Sequence, residues 1–284
     1  MTIIAHWSIV DDMDGARSLE SESRHSRGLP GAMDEQAELK KTTDRILVAI
    51  PTYDEIENLP LLVDEIFSRV PEVEILVVDD NSPDGTGDWA EKRAAQDSRL
   101  SCLHRAGRLG LGTATLEAFE YAQQKGYTWL VSMDADFSHH PRYLPDLLAA
   151  REGANSPAYD VVIGSRYVPG GRTVGWPWHR RFTSWLVNRG ARLLLSLSAR
   201  DCSGAYRCYR VATLEKVDLT QLRSRGFSFQ EEILWRLHRA GACLGEVPIV
   251  FADRTRGQSK INLREMLGSA WMLFRLGLTN WLGF

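Results

Sequence analysis

Two carboxylates with the spacing of a metal site, Asp134 and Asp136, follow the apolar run from Trp129 to Met133. Carboxylate oxygens at the end of a buried strand suit Mg²⁺ or Mn²⁺, which proteins often hold with one or two carboxylates and substrate phosphates. A pair of this kind also occurs in solvated turns, where an aspartate caps the next helix. The pair therefore predicts a metal site only if its surroundings agree.

A second acidic segment, from Asp79 to Thr86, follows the predicted buried strand from Glu74 to Val78. Adjacent acids at the end of a buried strand are costly without partners, and the N–H groups or hydroxyls of a nucleoside would be suitable ones. The Ser-Pro and Asp-Gly pairs in the segment also fit a simple tight turn.

The stretch from Gly164 to Arg210 is rich in arginine. It holds nine arginines, no lysine and one acid, Asp201. The planar guanidinium group suits phosphate recognition, so this stretch indicates a second phosphate beyond that of a nucleotide donor. Some members, such as Arg189 and Arg192, are expected to lie along a helix face. The nine are Arg166, Arg172, Arg180, Arg181, Arg189, Arg192, Arg200, Arg207 and Arg210.

The elements that position these groups alternate between strand and helix, which predicts a doubly wound, mostly parallel α/β sheet. Ligands bind beyond the carboxyl ends of the strands in such sheets. Strands are predicted at 46–50, 74–78, 100–104, 129–133 and 161–163, and helices at 57–70, 89–97 and 113–125. Polar residues follow four of these strands: Thr52, Asp54 and Glu55; Asp79 and Asp80; Asp134 and Asp136; Ser165 and Arg166.

Composition excludes several classes of protein. The net charge of −3 argues against a nucleic-acid binder. The four cysteines are far apart and predict neither a zinc site nor a disulfide framework, so a cytoplasmic location is expected. Residues 1–44 are polar with little periodicity and open with no leader, which predicts a mobile extension.

Three alternative functions fit the motifs less well. Gly110-Leu111-Gly112 lacks the third glycine of a dinucleotide fingerprint. A nucleotidyltransferase usually has a basic, glycine-rich loop after its first strand, whereas this strand ends in the segment from Pro51 to Glu55. A non-catalytic lipid- or nucleotide-binding module would not need both the acid pair and the arginines.

Two segments could contact a membrane. Residues 263–284 are largely apolar and include Trp271 and Trp281, but Arg275 interrupts the run. A helix packed on the core and an interfacial amphipathic helix both fit this pattern, whereas a spanning helix needs about 20 apolar residues. The segment from Thr183 to Ser198 is also rich in apolar residues. We expect peripheral attachment to the cytoplasmic face of a membrane.

The ordered motifs resemble those of the polyprenyl-phosphate (dolichol-phosphate) mannose synthases of glycosyltransferase family 2, over about residues 45–260. The sequence departs from that pattern at three positions. It has Arg108 where Lys is common, Asp54 where Asn is usual and Ser138 where Gln is frequent. The matching segments are 50–55 with 57–59, 77–86, Arg105 and Arg108 with 110–112, 134–136 with 138–141, 164–167 with 170–171, 201–207, 229–232, and Arg254 with 257–260.

The resemblance implies a GT-A fold, a GDP-mannose donor, a polyprenyl phosphate acceptor, and Mg²⁺ or Mn²⁺. A related enzyme that moves glucose or another sugar from a UDP-sugar is the alternative. The implied site residues fall into three groups: Pro51, Tyr53, Glu55, Asp79, Asp80, Arg207, Arg254 and Lys260 at the donor; Asp134 and Asp136 at the metal and diphosphate; Arg166, Arg180 and Ser184 at the acceptor phosphate.

The chemistry of that acceptor predicts catalysis without a base. A sugar hydroxyl needs a general base, whereas a phosphate monoester is already ionised. Asp134, Asp136 and Arg166 would then act by positioning and charge neutralisation. Glu231 and Glu232 are expected to be structural or to bind sugar hydroxyls. The predicted organisation is an extension (1–44), a transferase domain (45–260) and a C-terminal amphipathic helix (261–284).

Overall fold

The computed structural model describes residues 44–152, 158–222, 224, 226, 228–253 and 263–282. The predicted N-terminal extension, apart from Asp44, lies outside these residues, and so do Arg254 and Lys260. The helices are α1 Leu59–Arg69, α2 Thr86–Ala94, α3 Leu111–Gln124, α4 Leu144–Ala149, α5 Trp178–Leu195, α6 Val211–Leu214, α7 Phe229–Arg239 and α8 Leu263–Leu282. The strands are β1 Ile46–Thr52, β2 Glu74–Asp79, β3 Leu100–His104, β4 Trp129–Ser132, β5 Val161–Ser165, β6 Arg172–Val174, β7 Arg207–Arg210, β8 Leu244–Pro248 and β9 Val250–Ala252.

A seven-stranded sheet forms the centre, in the order β3-β2-β1-β4-β7-β5-β8. All neighbouring pairs are parallel except those of β7, which runs antiparallel to both β4 and β5. The predicted mostly parallel α/β sheet is therefore confirmed. A separate parallel pair joins β6 to β9.

The two faces of the sheet carry two hydrophobic clusters, because successive side chains of a strand point to opposite faces. Leu47 and Ala49 of β1 lie in the same cluster as Phe119 of α3. Val48 and Ile50 lie in the other cluster, with the buried side of α1. The apolar spacing of α1 predicts these contacts correctly: Leu59, Leu62, Val63, Ile66 and Phe67 are all buried.

The C-terminal helix α8 packs against α5. Gly277 lies so close to this helix that a Cβ at its position would be 3.0 Å from Cβ of Leu194. The Asn280 and Trp281 side chains both donate to the Leu194 carbonyl, at 3.2 and 3.0 Å. The predicted C-terminal amphipathic helix is therefore present, and it is held to the rest of the fold through α5. No helix among the described residues combines the length and apolar character needed to cross a bilayer.

Candidate active site

The Asp134–Asp136 pair follows β4 in a tight turn. Asp136 is buried, and one of its carboxylate oxygens accepts the Ser138 backbone N–H at 3.0 Å. Phe137, between them, has a φ of 61°, in the left-handed region that few non-glycine residues adopt. Such backbone strain is concentrated at functional sites. The turn places both acids directly after the carboxyl end of β4.

His139 supports the first of these two acids. Its Nδ1 accepts the Asp134 backbone N–H at 3.0 Å and also lies 3.4 Å from the Asp134 carboxylate. Because Nδ1 cannot accept the amide proton and carry a proton of its own, we assign the ring as neutral, with its proton on Nε2. The shorter contact supports that assignment over an ion pair. The ring is buried between Tyr206 and Phe251, with centroids 5.1 and 5.3 Å away.

Asp79, at the end of β2, is held by protein donors. Its carboxylate accepts the Thr52 hydroxyl at 2.9 Å, the Ser82 hydroxyl at 2.5 Å and the Ser82 backbone N–H at 2.9 Å. Gly87 packs so closely that a Cβ there would lie 2.7 Å from the carboxylate. Asp79 therefore fixes the turn after β2.

Asp80 is also partnered by the protein. It accepts a hydrogen bond from Arg105, which pairs in turn with Glu117 at 3.1 Å, and it accepts the Gly110 N–H at 2.8 Å. Gly110 has a φ of 93°, which favours glycine. Protein groups therefore supply partners for both acids, so their burial does not by itself require a nucleoside. Their place in the donor site stays a prediction.

The residues after β1 form the neighbouring edge of the site. The Arg108 guanidinium lies over the Tyr53 ring, 4.3 Å from its centroid. Glu55 accepts the Asn58 side-chain amide at 2.8 Å, and its backbone N–H donates to the Thr86 hydroxyl at 2.9 Å. Pro51 pairs in register with Val78, so this loop and the turn after β2 begin at the same level.

Arg166, at the end of β5, is buried in an ion pair with Asp201. Its Nη2 and Nε donate to the two Asp201 oxygens at 2.6 and 2.7 Å, and its backbone N–H donates at 2.9 Å. Burial alone would lower the pKa of Arg166, but the Asp201 charge raises it above its usual value. Burial would likewise raise the pKa of Asp201, yet Arg166 lowers it. Both groups are therefore charged at neutral pH.

Arg180 and Ser184 lie along α5. Arg180 pairs with Asp253 at 2.8 Å and stacks on Trp176, 4.1 Å from the ring centroid. Ser184 accepts the Tyr167 hydroxyl at 2.8 Å. Because Tyr167 directly follows Arg166, this bond brings α5 to the end of β5.

Arg207 lies in the protein interior. Its two terminal nitrogens donate to the backbone carbonyls of Gln230 and Cys202, at 2.7 and 2.5 Å. These contacts connect the start of α7 to the segment before β7, and the structure does not place Arg207 among exposed donor-binding groups. The donor role of Arg207 stays a prediction. So do those of Arg254 and Lys260, outside the described residues.

The two glutamates at the start of α7 are buried. Glu232 accepts the Ser224 backbone N–H at 2.8 Å and pairs with Arg236 at 2.9 Å. Burial raises the pKa of Glu231 to about 7, against the effect of the Arg207 charge. The contacts of Glu232 agree with a structural role.

The residues present fit a divalent cation that is shared with a substrate. In the described part of the chain, no group of three or more His, Cys, Asp or Glu side chains forms a cation cage. Mg²⁺ is commonly held by one or two carboxylates together with substrate phosphates. Asp134 and Asp136 supply that set of oxygens, so a donor diphosphate would complete it.

An apolar surface lies on the outer sides of α5 and α8. Trp178 and Trp281 are 74% and 72% exposed. On α5, the Phe182 and Trp185 rings stack with their centroids 6.0 Å apart. We call this the aromatic face; its members are Trp178, Phe182, Trp185, Leu186 and Leu193 on α5 and Trp271, Phe274, Leu278, Trp281 and Leu282 on α8.

Comparison with known sequences identifies the family. The sequence model described as "Glycosyl transferase family 2" matches residues 47–218. The chain belongs to this family. It is therefore a glycosyltransferase, and the predicted enzyme class is confirmed.

Two similar curated proteins extend the match. One is undecaprenyl-phosphate mannosyltransferase of Micrococcus luteus, 47% identical over 77% of this chain and 88% of that protein. The other is polyprenol monophosphomannose synthase of Mycolicibacterium smegmatis, 44% identical over 84% of this chain and 89% of that protein. The resemblance to polyprenyl-phosphate mannose synthases is confirmed by these relatives.

The solved structures show the fold. Glucosyl-3-phosphoglycerate synthase of Mycobacterium tuberculosis, solved with Mn²⁺, UDP and glucosyl-3-phosphoglycerate, superposes with a TM-score of 0.59. The match covers 90% of this chain and 86% of that one, at 18% identity. At this identity the likeness supports the architecture, which is the expected GT-A type.

Proposed function

We propose that the chain moves mannose from GDP-mannose to a polyprenyl phosphate, with inversion at the anomeric carbon, while attached peripherally to a membrane. The observation that carries this proposal is the placement of Asp134 and Asp136 relative to Arg166. Strands β4 and β5 both run antiparallel to β7, so they are parallel to each other and their carboxyl ends share one edge. The carboxyl ends of β4 and β5 are two strand spacings apart, which is about 10 Å.

That separation suits two phosphate-bearing substrates. The carboxylates after β4 would hold a donor diphosphate through a divalent ion, and the arginine after β5 would face an acceptor phosphate. The names of the two relatives, one an undecaprenyl-phosphate mannosyltransferase, support polyprenyl phosphate as acceptor and mannose as the sugar. GDP as the nucleotide rests on the resemblance alone.

The reaction requires positioning more than proton transfer. An oxygen of the ionised acceptor phosphate attacks the anomeric carbon, and the bond from that carbon to the diphosphate oxygen breaks. The leaving GDP takes the bonding electrons, and no proton has to be removed. When bound at Asp134 and Asp136, Mg²⁺ or Mn²⁺ would supply charge neutralisation for the departing diphosphate. Arg166 would orient the acceptor phosphate and lessen its repulsion by the donor.

The donor and acceptor are tested directly with purified protein, polyprenyl phosphate, Mg²⁺ and labelled GDP-mannose or UDP-glucose. We expect label in the lipid extract with GDP-mannose, and loss of product when a chelator is added. Incorporation from UDP-glucose alone would replace the proposed donor with the alternative.

The metal role is tested with Asp136→Ala, which should reduce turnover at least a hundredfold, on the order of one lost electrostatic contact in a transition state. Asp88→Ala is the matched control, because Asp88 is an exposed aspartate in the first turn of α2. Full activity of the Asp136 variant, with an unchanged circular dichroism spectrum, would contradict the metal assignment.

We propose that the aromatic face attaches the protein to the membrane, because tryptophan side chains favour the bilayer interface. Arginines on the same helix, such as Arg181 and Arg189, would contact anionic headgroups. Replacing Phe182 and Trp185 together by Ser should weaken binding to anionic vesicles at least about tenfold. Leu61→Ser is the control, because Leu61 is an equally exposed apolar residue on α1. Equal vesicle binding by all three proteins would contradict the assignment.

A further inference from the structure

Asn188 is a buried polar residue on the inner side of α5, behind the aromatic face. Its side-chain oxygen accepts the backbone N–H groups of Cys202 and Ser203, at 2.7 and 3.1 Å. Its side-chain nitrogen donates to the Ser184 carbonyl at 2.8 Å and to the Ser203 hydroxyl at 3.0 Å. An asparagine amide has two acceptor positions and two N–H groups, and all four are used here.

These bonds fix a loop that holds Arg166. Ser203 accepts Nη2 of Arg166 at 2.8 Å on the same hydroxyl that Asn188 reaches. Asp201, two residues earlier, takes the same guanidinium group and also the Gly204 backbone N–H at 3.0 Å. Asn188 therefore holds the middle of the loop, and the loop holds the guanidinium group at two points.

No other side chain reproduces this pattern at the same length. Aspartate keeps the acceptor for Cys202 and Ser203 but has no N–H for the Ser184 carbonyl, and alanine has neither. Ser184 lies one helical turn before Asn188, and the exposed Trp185 follows it directly. Helix α5 therefore carries part of the aromatic face on its outer side and Asn188, which supports the loop, on its inner side.

We infer that Asn188 is a positioning residue for the acceptor phosphate: through Ser203 it fixes the direction in which Arg166 presents its guanidinium group. This inference rests on the proposed function. It goes beyond it by assigning a role to a residue that touches neither substrate. The donor carboxylates follow β4, on the other side of β7, so loss of Asn188 should leave donor binding intact.

The test measures kcat and both KM values for the unmodified enzyme, Asn188→Ala and Asn188→Asp, with GDP-mannose and a short-chain polyprenyl phosphate in detergent. Asn188→Asp loses the two bonds that the side-chain nitrogen donates, which corresponds to roughly a tenfold rise in the acceptor KM, and Asn188→Ala loses all four bonds and should raise it at least as much. The donor KM should stay within about twofold. Ser203→Ala should show the same split, and it covers the case in which the Asn188 variants fail to fold.

Asn280→Ala is the matched control. Asn280 also anchors α5, donating to the Leu194 carbonyl and the Ser196 hydroxyl at 3.2 Å each, but it makes these contacts at the C-terminal end of the helix and not with the loop that holds Arg166. We expect this variant to keep both KM values. Equal effects of the Asn280 and Asn188 variants, or equal rises in donor and acceptor KM, would show that general loosening is the cause and overturn the inference.

The proposed function and the role of Asn188 can be refuted separately. An unmodified enzyme that makes no lipid-linked mannose removes the proposed function and the inference with it. An active enzyme whose acceptor KM is unchanged by Asn188→Ala, Asn188→Asp and Ser203→Ala removes the inference alone.

Discussion

Replacement of Asp201 by asparagine would isolate the energetic role of the buried ion pair with Arg166. Asp201 accepts three N–H groups of Arg166 and one of Gly204, and the carboxylate is fully buried. Asparagine keeps the size but replaces one oxygen by a donor that faces other donors. Removing one partner of a buried pair costs about 3–5 kcal/mol, because the other charge stays buried. That is a large share of a typical folding free energy of about 5–15 kcal/mol.

The chain offers a control pair that is partly exposed and joined through a single guanidinium nitrogen. Arg180 and Asp253 form a second pair at 2.8 Å, with side chains 29% and 34% exposed, against 8% and 0% for Arg166 and Asp201. Exposed pairs contribute about 0–1 kcal/mol, so Asp253→Asn should be nearly neutral.

Urea unfolding of both variants, followed by circular dichroism, measures the two free energies. Because Arg166 lowers the pKa of Asp201, the pair stabilises the protein above the usual aspartate pKa and loses that contribution as pH falls through the lowered pKa. The difference between the unmodified protein and Asp201→Asn should therefore be constant from about pH 5 to 8. A loss below about 1 kcal/mol, or an equal loss in Asp253→Asn, would refute the reasoning.

Two further predictions concern stability. Burial raises the pKa of Glu231 from 4.5 to about 7. The free energy of unfolding should therefore fall by about 3 kcal/mol as pH rises from 4.5 to about 7. Urea unfolding at pH 5 and 8 should show this fall, and Glu231→Gln should remove it. If the Glu231→Gln variant keeps the same dependence of unfolding free energy on pH, another group causes it. Asp54 has a φ of 59°, so Asp54→Val should cost about 1–2 kcal/mol and Asp54→Asn almost nothing. Equal unfolding midpoints for the two Asp54 variants would contradict that strain.

The strands and their polar ends could be predicted from the sequence because buried parallel strands are continuous apolar runs. Strand β7 could not, since it reads Arg-Cys-Tyr-Arg and has no such run. Its position between β4 and β5 makes Arg207 a fully buried residue whose charge is held by backbone carbonyls. Helix α2 begins at Thr86, three residues before the predicted start, because its first turn is polar and shows no helical spacing of apolar residues.

The candidate acceptor site was harder to anticipate than the acid pair. Asp134 and Asp136 are two residues apart in the chain, whereas Arg166 and Asp201 are brought together only by the fold. A single acid among nine arginines is a usable signal, yet spacing alone does not say which arginine it pairs with. The arginine-rich stretch also has structural members: the half-buried Arg210 stacks on Trp129 and pairs with Asp160 at 3.1 Å.

The reversed direction of β7 changes which loops can reach the ligand edge. In a purely parallel sheet, only segments that follow a strand arrive there. Because β7 runs the other way, the segment that precedes it, residues 201–206, enters the same edge between the ends of β4 and β5. That segment comes in between the carboxylates after β4 and Arg166 after β5, and it supports Arg166 through Asp201 and Ser203. A change in this segment would therefore act on Arg166 directly, whereas the two acids after β4 are held by the contacts of their own turn.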